Sequence, residues 1–508
     1  MKKILLSAIL LSSIIACREE SLSNRDAQLQ AQQNLLDVKS VYKQEFSIAL
    51  AKALASNADL RDFIKKEALK KFDNDYDVLY QMVKDRMVGG KIFKDIIAEQ
   101  YDKKENLEAL ERLYPTLTIF VPELPMDSFS AEKWNSRTEI PQVAYTLDTT
   151  NDTPIVNEKG EEYFLEAKYT PSFPVVVIKE NERVKISTNN SIRNNTIASN
   201  SPAVIQNNVL KGSSYNFEFL DDAFNGNKSN IIQKSASVKR MSTISNASLV
   251  DSKLQQAYEI YKNADGWQRD YIYYDITPGQ QKGQFKYDYQ EYLTSIRIDD
   301  FFSISDQTNT GDPTFLRALE RGWTEGMFDF RINVLVNANN GIGSSIVKYF
   351  SCGPGDLFDL VYEQKRISLG VLVWVIKDIQ PKTKLINIPL FSWDLNQYAS
   401  TIKISIEEVD LTEEETKTDT RSVKFATNFG IDTDGLIKKI GIKFGASLER
   451  NESSTVTYKV TKSSDQLGDV TINFADKIIT GFDGGSYVGR ENYSSGKYKI
   501  TVEPRRVQ

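Results

Sequence analysis

Acidic side chains come close enough together for cation chemistry at Asp299-Asp300, Asp306 and Asp312. Carboxylates on the end loops of β-sandwiches commonly hold Ca2+, so these four are the candidate metal ligands and Ca2+ the candidate ion; a solvated acidic loop has the same composition. Asp432-Thr433-Asp434-Gly435 offers a second acidic run, but aligning Gly435 with the invariant glycine of an EF-hand loop places Gly430 at the first ligand position and Gly441 at the twelfth. The twelfth position needs a bidentate Glu, so this run reads as a turn.

The chain has no histidine. That removes the usual proton shuttle near neutral pH, and with it Ser-His-Asp and Cys-His hydrolases and His-ligated zinc proteases. Glycoside hydrolysis survives, since it needs only two carboxylates flanking a sugar bond. Glu407, Glu408 and Asp410, or Asp329 and Glu325 near Trp323, are the residues that would have to supply them. Cys352 has no histidine to make it a thiolate nucleophile and is expected to be a small packed side chain.

Aromatic residues crowd at Trp267, Tyr271, Tyr273, Tyr274, Tyr287 and Tyr289. Flat rings stack on sugar faces, which makes Trp267, Tyr271, Tyr273 and Tyr274 the candidate ligand-binding residues; the competing reading is that they are core.

These side chains must be carried by an α+β, multidomain chain. Residues 24–113 show apolar positions three and four apart, with helix starts expected at Asn57 or Asp59 and at Asn74 or Asp75 before Val78-Leu79; Gly89-Gly90 breaks the region into short helices. From about 115, β-branched and aromatic runs predict a small sheet, with a turn at Asn157-Glu158-Lys159-Gly160. Residues 186–248 are rich in Ser, Asn and Thr and read as a polar linker, in which only 215–220 could dock or add a strand. After a short helix at Ser252 to Lys262 the pattern is β to the end, predicting a sandwich-like region. The expected organisation is 1–16 signal peptide, 17–23 tether, 24–185 helical and small β domain, 186–248 linker, 249–410 β-sandwich-like domain and 411–508 C-terminal β unit.

Composition limits the partners. Lys and Arg number 63 against 69 Asp and Glu, a net charge of -6, and no basic block interleaves with aromatics, so nucleic acid is not an expected partner. Apart from Cys17 and Cys352 there is no cysteine, so stability must come from packing rather than disulfides.

Met1-Lys2-Lys3, the apolar run Ile4 to Ile15, and Ala16 before Cys17 follow the order of a signal peptide, and the run is shorter than the roughly 20 residues a membrane helix needs. Ile14-Ile15-Ala16-Cys17 resembles the bacterial lipobox, which implies cleavage before Cys17 and acyl chains on it. Arg18-Glu19-Glu20 resembles the signal that sends Bacteroidota lipoproteins to the outer face of the outer membrane, and the aromatic stretch with Ser392-Trp393-Asp394-Leu395 resembles segments of large Bacteroidota lipoproteins of unassigned function. The end, Ser495 to Val502, loosely resembles the last strand of type IX secretion sorting domains and is read as a closing strand.

Together these readings predict a non-enzymatic, surface-exposed lipoprotein of the outer membrane whose β region binds a glycan or protein, with no organic cofactor. Two alternatives come from other classes. One is a pore-forming or effector protein, because Ala446 to Val460 and Val470 to Phe474 alternate like an amphipathic hairpin; the other is a carboxylate-dependent glycosidase.

Overall fold

The computed structural model describes residues 39–147, 150, 152–187, 209–211, 214–226, 251–264, 266–278, 283–304, 322–338, 343–368, 370–409, 414–426, 449–461, 465–483, 486–488 and 492–507. It is a mixed α+β fold: helices with a small mixed sheet, then a region of antiparallel sheets.

Asn57 starts the helix Ala58–Ala68. Its backbone is extended and its side chain accepts from the Leu60 amide at 3.0 Å, which satisfies one of the free donors of the first turn. Leu60, Ile64 and Ala68, four residues apart, form the buried stripe. Gly89 and Gly90 do break the region, as the two-residue turn between Met87–Val88 and Lys91–Ile92; both have positive φ, 57° and 89°, the combination for which a tight hairpin turn favours glycine.

The helix start expected before Val78 is corrected. Asp77–Leu79 is a strand paired antiparallel with Leu117–Phe120, and the following helix, Tyr80–Val83, begins without a side-chain cap. Asn74 sits instead in a left-handed turn at φ 71°. Sheet pairing outweighs the local capping preference here, because all three residues of the strand are buried.

The N-terminal sheet has six strands in the order Asp77–Leu79, Leu117–Phe120, Val175–Glu180, Gln142–Tyr145, Thr153–Val156 and Glu162–Leu165. Only the contact between Val175–Glu180 and Gln142–Tyr145 is parallel. Val175 to Ile178 are all buried, as expected of a central strand covered on both faces.

Two four-stranded antiparallel sheets share the C-terminal core. One runs Lys384–Phe391, Tyr289–Ile298, Tyr498–Arg506, Tyr493–Ser494; the other runs Ser344–Cys352, Phe328–Ala338, Tyr398–Glu408, Asp465–Asn473. Alternation along Phe328–Ala338 sends Phe330, Ile332 and Val334 into the shared core and Arg331, Asn333 and Asn337 to the opposite face. That outer face is buried as well, because the hairpin Glu414–Ala426 with Glu449–Thr461 lies across it. The layer between them is polar: Arg331 pairs with Glu414 at 2.8 Å, Lys403 with Asp419 at 3.0 Å, and Asn337 donates to Ser454 at 2.8 Å.

Strand pairing crosses two of the expected boundaries. Within the segment expected as a linker, Asn216–Phe219, in the part that could add a strand, pairs with Val209–Lys211 and with Val184–Ile186 in a three-stranded sheet. Across the expected split near residue 410, Tyr398–Glu408 pairs with Asp465–Asn473 and Tyr289–Ile298 with Tyr498–Arg506. Neither half could bury its sheet face without strands from the other.

Candidate functional site

A polar cleft of about 270 Å³ opens where four separate segments meet. The helix Ser252–Tyr261 contributes Lys253 and Gln256. Asp251 caps that helix, accepting from the Lys253 amide at 2.7 Å, and also accepts from the Tyr289 hydroxyl at 3.1 Å, which ties the helix to the strand Tyr289–Ile298. The helix Gln268–Tyr274 ends at Asp275 in the left-handed conformation, φ 53°, and presents that carboxylate to the cleft.

Asp275 bridges two cations, Lys253 and Lys286, the latter at 2.9 Å. Burial works against its charge, but hydrogen bonds from both lysines hold its carboxyl below the usual carboxylate range. Asp288 and Arg506 complete the wall, with the Arg506 guanidinium 5.8 Å from the centre of the Tyr289 ring.

Two aromatic residues neighbour residues that line the cleft. Lys253 Nζ lies 3.9 Å from the centre of the partly exposed Tyr271 ring, whose hydroxyl donates to Gln256 at 2.9 Å. Tyr287, between Lys286 and Asp288, is 71% exposed and packs edge-on against Phe285 at 4.9 Å. Fixed donors and acceptors of both signs beside open rings suit a ligand that carries many hydroxyl groups and a flat apolar face.

Of the aromatic residues singled out from sequence, Trp267 and Tyr271 are partly exposed, and Trp267 leans on Phe474 with ring centres 5.9 Å apart. Tyr273 and Tyr274 are corrected to core residues. Tyr273 donates to buried Glu291 at 3.0 Å, and Tyr274 donates to Asp394 at 2.9 Å while accepting from the Leu395 amide at 2.8 Å. The reason is the period: a strand would send neighbouring side chains to opposite faces, whereas this stretch is a helix and both rings turn inward.

The acidic run does not converge on a cation in its described part. Asp299 is bonded by Arg297 at 2.8 Å and Lys499 at 2.9 Å, which hold its carboxyl below the usual range although burial opposes them. Asp300 caps a short turn by accepting from the Phe302 amide at 3.0 Å. Among the described residues no group of three or more metal-ligating side chains could hold an ion. Asp306 and Asp312 lie outside the described residues, as do Asp410, Asp432, Asp434, Cys17, Arg18, Glu19 and Glu20.

The carboxylates proposed for glycoside hydrolysis are corrected too. Glu407 is buried and accepts from the Thr461 amide at 3.0 Å; Glu408 is buried beside the Asp329 amide at 3.4 Å; Asp329 is locked to Arg183. Trp323 sits in the N-terminal core, and the Glu325 carbonyl accepts from Lys179. Asp329, Glu407 and Glu408 are thus buried and held by partners rather than open to a substrate. Cys352 is buried, and burial pushes its thiol well above the ordinary value.

The hairpin expected from Ala446 to Val460 with Val470 to Phe474 is paired otherwise: Glu449–Thr461 pairs with Glu414–Ala426 and Asp465–Asn473 with Tyr398–Glu408. Glu414–Ala426 shows Thr418, Thr420 and Ser422 to solvent and Lys417, Asp419 and Arg421, partly buried, on its other face. Turned towards lipid near the bilayer centre, Lys417 and Arg421 would each cost about 2–4 kcal/mol and Asp419 less, which argues against a membrane-spanning role for these residues. Among the described residues no helix is long and apolar enough to cross a membrane.

Sequence reasoning missed Lys253, Asp275, Lys286, Asp288 and Arg506. Lys286 and Asp288 flank Tyr287 and were the nearest available signal; the others enter only through folding. Searches against family models, curated proteins and solved structures find no match.

Proposed function

We propose that the chain is a lipoprotein anchored through Cys17, carried to the outer face of the outer membrane by Arg18-Glu19-Glu20, and that its C-terminal β region binds a glycan in the cleft around Asp275. The observation that carries the binding reading is the cleft itself: the Lys253–Asp275–Lys286 ion network, open to solvent, with the partly exposed Tyr271 ring against Lys253 and the exposed Tyr287 between Lys286 and Asp288 in sequence. Sugar hydroxyls both donate and accept, so a network of fixed charges of both signs can receive them without rearranging.

A glycan array probed with the native protein tests the binding reading. Retention on a defined set of glycans, lost in Tyr287→Ala and Asp275→Asn, is the expected result. Retention on no glycan, or retention unchanged in both variants, rejects it. The address is tested separately by external protease on intact cells: cleavage is expected, and release of the protein from membranes by Cys17→Ala.

A further inference from the structure

A concentrated set of buried charges lies away from the cleft, where the N-terminal unit meets the C-terminal β region. Asp73, Asp75 and Asp77 reach it from the loop and strand around residue 75, Lys179 from the strand Val175–Glu180, Glu182 and Arg183 from the turn after it, and Asp329 from the strand Phe328–Ala338. All have side chains within a tenth of full burial.

Arg183 holds Asp329 by two bonds, at 2.6 and 3.1 Å, and lies 3.4 Å from Asp75. Lys179 binds Glu182 at 2.7 Å and the Glu325 carbonyl at 2.6 Å, and lies 3.8 Å from Asp77. The Asn181 amide nitrogen donates to both Asp73, at 2.7 Å, and Asp77, at 3.1 Å. Asp75 accepts from the Met327 amide at 3.1 Å, and Ser351 donates to Asp329 at 2.5 Å. Glu408 adds another acid beside the Asp329 backbone, and the rings of Phe120 and Phe224 cover Lys179 and Arg183.

Carboxyls outnumber cations here. Among the described residues, Lys179 and Arg183 are the bases in salt-bridge reach of Asp75, Asp77, Glu182 and Asp329, and Asp73 is held by the Asn181 amide, the Asp75 backbone amide and the Asp77 carboxyl. An ionised carboxylate without a counter-charge is too costly to bury, and the usual remedy is to neutralise it. Asp77 shows where: its Oδ1 is buried with no hydrogen-bond partner, a condition a neutral carboxyl tolerates far better than an anion.

We propose that this joint is held by a proton: Asp77, linked to Asp73 through the shared Asn181 amide, stays protonated in the folded chain, and its ionisation loosens the contact between the N-terminal unit and the C-terminal β region. Burial raises Asp77 well above the usual carboxylate range, raises Asp73, and pushes Glu182 up to about 7. The sign follows. A carboxyl whose folded value is raised favours the fold fully below its unfolded value, about 4, and that contribution is lost as pH rises through the folded value.

Hydrogen exchange of the full-length protein between pH 5 and 9, corrected for intrinsic rates, reads the joint directly at residues 73–77, 181–184 and 325–331. The opening constant of these amides is expected to rise with pH, by about tenfold per unit for each proton lost on opening. Asp77→Asn, a permanently neutral isostere, is expected to be as protected as wild type at pH 5 and more protected at pH 9. Glu182→Gln, which should remove only the part of the slope that ends near pH 7, serves if Asp77→Asn fails to fold. A wild-type joint with no slope, an Asp77→Asn protein that keeps the full slope, or one equally loosened at pH 5 and pH 9 overturns the proposal. So does recovery of wild-type protection at pH 9 on adding CaCl2, which would put a cation where the proposal puts a proton.

Discussion

Arg183 and Asp329 lie 146 residues apart in sequence and meet fork to fork, Nε to Oδ2 at 2.6 Å and Nη2 to Oδ1 at 3.1 Å, with neither side chain reaching solvent. Paired, parallel bonds of this kind fix orientation as well as distance, so the pair sets the angle at which the Phe328–Ala338 strand meets the N-terminal unit. Removing the cation alone leaves buried carboxylates without compensation. Arg183→Met is therefore expected to cost about 3–5 kcal/mol in urea unfolding, and the double variant Arg183→Met with Asp329→Leu to recover part of that loss, the rest remaining because buried Asp75 also loses the guanidinium 3.4 Å away. A double variant no more stable than the single one would contradict this account.

Asn57→Ala removes the cap of the Ala58–Ala68 helix and is expected to lower stability by about 1 kcal/mol, with Asn57→Asp close to neutral. Denaturation midpoints of the three proteins, at equal slope, decide it.

Tyr273 and Tyr287 should separate stability from binding. Tyr273→Phe strips the buried Glu291 of a donor and is expected to cost about 1–3 kcal/mol while leaving glycan retention unchanged. Tyr287→Ala is expected to change stability by no more than about 0.5 kcal/mol while abolishing retention. Thermal melts and the glycan array on both proteins supply the comparison.

Asp299 carries the opposite pH dependence from Asp77. Although burial opposes it, the bonds from Arg297 and Lys499 lower its folded value, so its contribution is present above the unfolded value of about 4 and lost as pH falls through the folded one. Asp299→Asn is expected to lower the melting temperature at pH 7 and to leave it unchanged at pH 2.

Cys352 should be silent towards alkylating reagents in the native protein and reactive once unfolded, since its thiol is buried and held protonated. Mass spectrometry of a Cys17→Ala protein, which has one thiol, reads the result; rapid native labelling would mean that the sandwich core opens.

The fold class was readable because it rests on local periodicity. Asn57, the Gly89-Gly90 break and the turn after Asn157 were all signalled by their own residue types. Strand partners were not, because Tyr289–Ile298 finds both its neighbours about a hundred residues or more away, in Lys384–Phe391 and Tyr498–Arg506. The candidate site was legible only in part: the aromatic stretch holds Tyr271, which lies against Lys253, but the helix Gln268–Tyr274, in a region whose pattern reads as β, turns Tyr273 and Tyr274 into the core. The buried charges at the joint escaped for a different reason. Asp73, Asp75 and Asp77 alternate with other residues as any solvated loop might, and only folding brings Asn181, Arg183 and Asp329 against them.

The pairing of Tyr289–Ile298 with Tyr498–Arg506 has a kinetic side. Ser295 and Thr501, hydrogen-bonded at 2.9 Å, are separated by 206 residues, so a central strand of the sandwich waits for a partner that leaves the ribosome long after it does. Such high contact order slows folding and leaves apolar strand faces uncovered in the interval. A chain built this way depends on being kept from premature collapse and aggregation until its last strand arrives.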